Sequence, residues 1–300
     1  MLRLFETVAE EGSFSRAGRK LYRSQPAISL ALKRLEDDLG VLLIDRSTRS
    51  LRLTDPGRKA SGYAKEFFAL EREMRVALAD LRARAAGKLT VGANESTALY
   101  LLDHVERFRK RHPGMQVELR RSLSSQIPQA VRDGSLELGA ISYDPADPGL
   151  RLFRLYDDRL TFVVSPAHRL AGRKTVGIAE LGAETLIAHN VVSPYRARVI
   201  ETFRRHAVPL NMEIEMPTIE TIRRLVQRNL GVAFLPKMCV ERQIKSGALC
   251  EVVVPELGME RQIHLVYPVA RYLSQASRAF LELVGAPIPE DSAPAGAGAC

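Results

Sequence analysis

Apolar residues recur at helical spacing in three short stretches near the start of the chain. Residues 2–10, 13–22 and 24–39 each read as an amphipathic helix. In the third, Ile28, Ala31, Leu32, Leu35 and Leu39 form one buried stripe. Ser24 is placed to cap it, Pro26 falls in its first turn where a missing N–H costs nothing, and Gly40 supplies a left-handed stop. Val41–Arg46 and Ser50–Thr54 then read as two short strands around the basic tip Arg46-Ser47-Thr48-Arg49, a hairpin wing. From Pro56 to about Ala86 the pattern becomes one long helix. Ala60, Ala64, Phe67, Met74, Leu78 and Leu81 follow steps of four and three, interrupted by the charged Glu71. Such a stripe fits a seam between two helices, or packing against the rest of its own chain. At 1.5 Å per residue the helix would reach roughly 45 Å.

Beyond Gly87 strands and helices alternate. The strand candidates are Lys88–Ala93, Gln116–Arg120, Glu137–Ile141, Leu160–Val164, Thr185–His189, Glu213–Met216, Val232–Leu235 and Ile263–Tyr267. Helices are predicted near 97–111, 125–133, 196–206, 219–229 and 272–284. This alternation predicts an α/β domain with mostly parallel sheets. The tail Ala286–Cys300, rich in Pro, Ala and Gly, is expected to be disordered. No internal repeat is present.

Composition narrows the classes. With 46% hydrophobic and 26% charged residues, the chain reads as a soluble globular protein. The net charge of +9 suits an acidic partner or is simply a basic surface. Residues 1–60 hold 12 Lys or Arg against 8 Asp or Glu, so a surplus of four lies in one fifth of the chain. No apolar run approaches the roughly 20 residues that span a bilayer, and the start turns acidic too soon for a secretory signal. Membrane association is therefore not expected, and a cytoplasmic location is. Cys239, Cys250 and Cys300 are widely spaced, which argues against a disulfide framework or a zinc site. No metal and no cofactor is expected, and each Cys reads as a buried structural residue or, alternatively, a redox sensor.

Two helices joined by the tight Tyr22-Arg23 link, the second opening Ser-Gln-Pro, match a helix-turn-helix. The N-terminal end of a recognition helix enters the major groove and must carry short polar groups. Ser24, Gln25, Pro26 and Ser29 stand there, with Leu30 placed to touch a thymine methyl. Lys33 and Arg34 a turn later, and Arg46, Arg49 and Arg52 in the wing, suit phosphate contacts. The competing reading is a solvated charged face on a small helical bundle.

These residues resemble the LysR-type transcriptional regulators. The likeness runs from Phe5 to Ala17, through Ser24-Gln25-Pro26-Ala27-Ile28-Ser29 and Leu35-Glu36-Asp37-Asp38-Leu39-Gly40, and closes with Arg46 and Leu53-Thr54-Asp55-Pro56-Gly57. The order of segments extends it to about residue 285. Gly18 stands where the family usually has Ala, at a cost of about 1 kcal/mol in helix propensity. Leu43-Ile44 replaces a favoured Leu-Phe.

The resemblance implies a sequence-specific regulator. Residues 1–58 would form an all-α winged helix-turn-helix, 59–87 a dimerisation helix, and 88–285 an effector domain of two α/β lobes shaped like a periplasmic binding protein. Lobe I would comprise 88–161 and 267–285, lobe II 162–266, with 286–300 as tail. The element order supports this, since the chain would cross near Leu160–Val164 and return near His264–Tyr267. The polar strand ends Asn94, Ser96, Thr97, Ser124, Ser125, Ser193, Arg196 and Thr218 suit a small anionic effector, or serve only as helix caps. Glu95 would oppose an anion unless it points away or pairs with a cation such as Arg196. His189 reads equally as a core residue or a ligand contact.

The partners this implies are promoter DNA, a second copy in a homodimer or homotetramer, and the effector; RNA polymerase is a further candidate. An architectural DNA-binder without an effector is the alternative. An enzyme with a DNA-binding head is disfavoured, because no GxSxG, Walker loop, HExxH or GxGxxG motif occurs.

Overall fold

The computed structural model describes residues 1–45, 51–82, 87–191 and 193–289. It divides into an N-terminal unit, Met1–Leu78 with Asp133–Ser135, and a larger unit formed by the rest of the chain from Ala79.

The N-terminal unit opens with α1 (Leu2–Glu11), α2 (Phe14–Lys20) and α3 (Gln25–Leu39), continues through β1 (Ile44–Asp45) paired antiparallel with β2 (Arg52–Leu53), and ends in α4 (Asp55–Arg82). Phe5, Val8, Ala17, Ile28, Leu32 and Leu43 fill its core. Gly12 ends α1 at φ 55, and the Ser13 hydroxyl caps α2 by accepting from Arg16 N–H. Gly18, expected to be a mere propensity cost, has a packing reason: a methyl group there would meet the Arg23 carbonyl oxygen at 2.6 Å. The turn between α2 and α3 folds back that closely.

Glu36 is only 4% exposed, and its Oε1 accepts from Leu43 N–H at 2.9 Å and Ile44 N–H at 3.2 Å, pinning the first wing strand to α3. Thr54 Oγ1 donates to Leu42 O at 2.6 Å and accepts from Gly57 N–H at 3.0 Å, which joins the wing to the start of α4. A side chain at Gly57 would run into the Leu43 carbonyl. The strands are shorter than expected, and the basic tip with Arg46 and Arg49 lies outside the described residues.

The stripe on α4 divides. Ala64 is buried and Ala60 packs on the N-terminal core, so these two serve their own chain. Phe67, Met74 and Leu78 remain 57%, 53% and 51% exposed, joined by Tyr63 and Leu70.

The larger unit contains β3 (Lys88–Ala93), α5 (Glu95–Arg111), β4 (Gln116–Arg121), α6 (Ile127–Arg132), β5 (Leu138–Ile141) and β6 (Leu150–Val164). There follow β7 (Thr185–His189), α7 (Pro194–Arg205), β8 (Asn211–Met216), α8 (Ile219–Gln227), β9 (Ala233–Pro236), α9 (Lys237–Lys245), β10 (Cys250–Val252), β11 (Met259–Pro268) and α10 (Gln275–Val284). The sheets are mixed rather than mostly parallel. β3 pairs parallel with β4 and β5, and β7 with β8, but β6 and β11 run antiparallel to each other and to every other strand they meet.

That exception makes the hinge. β6 is 15 residues long, ten more than predicted, and its partner β11 follows it from Met259 opposite Leu160 to Pro268 opposite Leu150. β11 pairs with β5 in lobe I, while the far end of β6 pairs with β9 and β10 in lobe II. Each lobe has its own core: Leu89, Val91, Phe108 and Phe280 in the first, Phe162, Leu186, Val199 and Phe203 in the second. The first residues of the expected tail are ordered, since Ala286 is buried and Tyr267 Oη donates to Pro287 O at 2.8 Å, and residues 290–300 lie outside the described residues.

Candidate functional site

The side chains expected to face DNA stand at and near the N-terminal end of α3. Ser24 takes an extended conformation and its hydroxyl accepts from Ala27 N–H, so α3 begins with Gln25 and Pro26 held at its tip. Ser24, Gln25, Pro26, Leu30, Lys33 and Arg34 are exposed, and Ser29 is half-buried. Ile28 and Leu32 anchor the opposite face in the core. Arg52 is exposed on the second wing strand.

The polar strand ends of the effector domain are brought together in part, and most of their hydrogen bonds are satisfied internally. Asn94 caps α5: its Oδ1 accepts from Thr97 N–H at 2.9 Å and from Ser96 Oγ at 3.0 Å, and its Nδ2 donates to Ser124 Oγ at 2.6 Å. Ser193 caps α7 and Thr218 caps α8 through the hydroxyls. Arg196 pairs with Glu215 and donates to His189 O. It does not meet Glu95. Instead Glu95 crosses between lobes, where its Oε1 accepts from Ile219 N–H at 2.8 Å at the start of α8, and its Oε2 lies 3.5 Å from His189 Nε2. The unit's own carboxylate thus occupies a helix terminus predicted to face an anion. Ser125 is exposed in the turn before α6.

A cavity of about 690 Å³ opens elsewhere between the lobes, over β6 and β11, a volume suited to a small molecule. None of the eight predicted effector residues lines it. Ser142, Asp158 and Arg261 form its buried floor, with Tyr143, Tyr195 and His264 beside them. Tyr195 Oη donates to Ser142 O at 2.6 Å, a second direct link between lobes. Burial pushes the Asp158 carboxyl above its ordinary range, with the Arg261 charge opposing, and pushes the His264 imidazole down. His264 Nδ1 is buried and has no hydrogen-bond partner among the described residues.

One signal for this site was present in the sequence. Arg261 shares the inward phase of Ile263 on β11, and Asp158 that of Leu160 and Phe162 on β6, so each puts a charge where a strand's buried face calls for an apolar residue. With β6 predicted only from Leu160, that phase could not be extended back to Asp158.

Cys239 is partly buried on α9, and burial pushes its thiol up to about 12, which removes the reactive thiolate a redox sensor needs. Among the described residues no group of His, Cys, Asp and Glu could hold a metal ion, and no helix is long and apolar enough to cross a membrane.

Comparison with known proteins covers both units. Residues 1–58 match the model of the bacterial regulatory helix-turn-helix protein, lysR family, and residues 82–286 match the LysR substrate binding domain. A "Probable RuBisCO transcriptional regulator" of Cyanidioschyzon merolae is 30% identical over 288 residues, 94% of this chain and 95% of that protein. Among solved structures, a full-length OxyR variant from Pseudomonas aeruginosa aligns with a TM-score of 0.61 at 24% identity, covering 95% of this chain and 92% of its own. The regulatory domain of Synechocystis CcmR in complex with 2-PG (2-phosphoglycolate) aligns with a TM-score of 0.59 at 21% identity, covering 66% and 95%.

Proposed function

Because this chain belongs to the LysR family of transcriptional regulators, we propose that it reads promoter DNA through the tip of α3 and the wing, and that a small anionic effector between the lobes alters how it holds that DNA. It is a regulator and not an enzyme. It works in the cytoplasm, dimerises through the exposed stripe of α4, and pairs again into a tetramer.

The observation that carries the effector reading is the hinge. Two antiparallel strands, β6 and β11, pass through both lobes, and direct contacts such as Tyr195 to Ser142 and Glu95 to Ile219 meet across the cleft. Lobes joined in this way move as rigid bodies, so a ligand favouring one arrangement shifts the balance between them. A coupling of about 1–3 kcal/mol, a 5- to 150-fold change in affinity, is enough for regulation. We read Asn94, Thr97, Ser193 and Thr218 as helix caps, and Ser96 as the buried hydroxyl that ties Asn94 to Arg261 beneath the cavity.

The test is DNA footprinting and fluorescence anisotropy on the full chain with and without 2-phosphoglycolate, the ligand of the CcmR regulatory domain. A changed footprint with added ligand supports the reading. Sequence-specific binding that no anion of this class alters would favour an architectural DNA-binder.

A further inference from the structure

The floor of the interlobe cavity holds a positive charge that its surroundings use only in part. Arg261 is 5% exposed and lies directly opposite Asp158 in the β6–β11 register. Its Nε is 3.3 Å from Asp158 Oδ2, yet neither atom has a hydrogen-bond partner. Asp158 spends its other oxygen on Met238 N–H at 3.0 Å. Among the described residues Arg261 donates one hydrogen bond, from Nη2 to Ser96 Oγ at 3.0 Å, and its guanidinium lies 4.9 Å from the centre of the Tyr195 ring. A guanidinium carries five N–H donors in a planar fork that matches an oxyanion.

The other cations of the cavity are engaged. Lys237 and Arg159 both bond Glu251, at 2.9 and 2.8 Å, and Arg154 pairs with Asp157. Arg261 alone joins burial, unspent donors and simultaneous contact with lobe I through Ser96, lobe II through Tyr195 and the hinge through Asp158. Keeping a charge buried is costly unless its hydrogen bonds are completed, and an anion in the cavity would complete them.

We propose that Arg261 holds the acidic head of the effector, a carboxylate or phosphate that competes with Asp158 for the guanidinium while the rest of the molecule lies against Tyr195. This rests on the effector reading above and names the group that recognises the anion. The exposed carboxylates Asp144, Asp157 and Glu260 at the mouth restrict the site to a small anion with its charge at one end.

Calorimetry on the full chain with inorganic phosphate and with glycolate, titrated separately, tests the proposal and tells which head group the site prefers. Binding to the wild type should weaken about tenfold or more in Arg261→Gln, the loss of a charge-assisted contact. Asp158→Asn should instead tighten binding, because the competing carboxylate is gone. A merely structural Arg261 would not produce that opposite response. If Arg261→Gln does not fold, Asp158→Asn decides, and affinity that is unchanged or weaker overturns the proposal. Wild-type binding that neither variant alters removes Arg261 from the site and leaves the effector reading intact. If neither probe binds the wild type, the proposal falls, and the effector reading is decided by the footprint with 2-phosphoglycolate.

Discussion

Replacing Glu36 with Ala should free the wing from the helix it is built on. Glu36 is buried at 4% exposure, and one oxygen receives two backbone N–H groups, Leu43 at 2.9 Å and Ile44 at 3.2 Å. Hydrogen bonds to a charged group are each worth about 1.5–3 kcal/mol, and the Ala variant also leaves both buried amides without a partner. Taking the lower figure for each gives a loss of about 3 kcal/mol in the free energy of opening the wing, a large share of the roughly 5–15 kcal/mol that holds a domain together. Native-state hydrogen exchange reads this directly: the Leu43 and Ile44 amides should exchange about a hundredfold faster or more, since each 1.4 kcal/mol is a factor of ten. Glu36→Gln keeps an acceptor of the same size without the charge and should lose less. Recognition-helix amides near Leu32 should change less than the wing amides, because Ile28 and Leu32 keep their core packing. Wing amides exchanging at the wild-type rate in Glu36→Ala would refute the pinning role.

Three further outcomes are expected. Gln25→Ala should cost about 1–3 kcal/mol on the specific site and spare non-specific binding, whereas Arg52→Ala should weaken binding to all DNA and reduce its salt slope by about one charge; equal losses on all sequences in both variants would remove Gln25 from base reading. Met74→Asp or Leu78→Asp places a charge in the exposed apolar stripe of α4, and sedimentation should show smaller assemblies than wild type; unchanged sedimentation would place the dimer contact elsewhere. With its thiol pushed up to about 12, Cys239 holds about one part in ten thousand as thiolate at pH 8, so in a Cys250→Ser, Cys300→Ser chain iodoacetamide should label it only after unfolding, or as pH climbs toward 12; labelling of the native chain at the rate of a free peptide thiol would show the site to be open.

Local signals were the readable ones. Ser24, Pro26 and Gly40 bracket α3, and both its caps match the structure because capping depends on residues adjacent in the chain. β6 was not readable over its first ten residues, where Arg151, Arg154, Asp157 and Arg159 break the apolar alternation; only its pairing with β11, about a hundred residues later, reveals it as a strand. β10 and α9 were missed for a related reason, being short elements whose packing supplies most of their definition. The helix caps around the effector cleft were legible as polar positions, but not whether their hydroxyls were already spent on their own backbone. Arg261 shares the inward phase of Ile263, but the strand expected from the sequence begins only at Ile263, so that phase does not reach it. Its meaning comes from Asp158, Ser96 and Tyr195, which three other elements bring to it.

The threading of the hinge also sets an order in time. On the ribosome the DNA-binding unit is complete once α4 has emerged, but lobe I cannot be: its strand β5 waits for β11, and its core waits for Phe280 of α10, made after the whole of lobe II. Until then β5 presents an unpaired edge on that side while all of lobe II is being synthesised, the kind of edge that invites pairing with a neighbouring chain. The nascent chain therefore carries a finished DNA-binding head well before the domain that regulates it has closed.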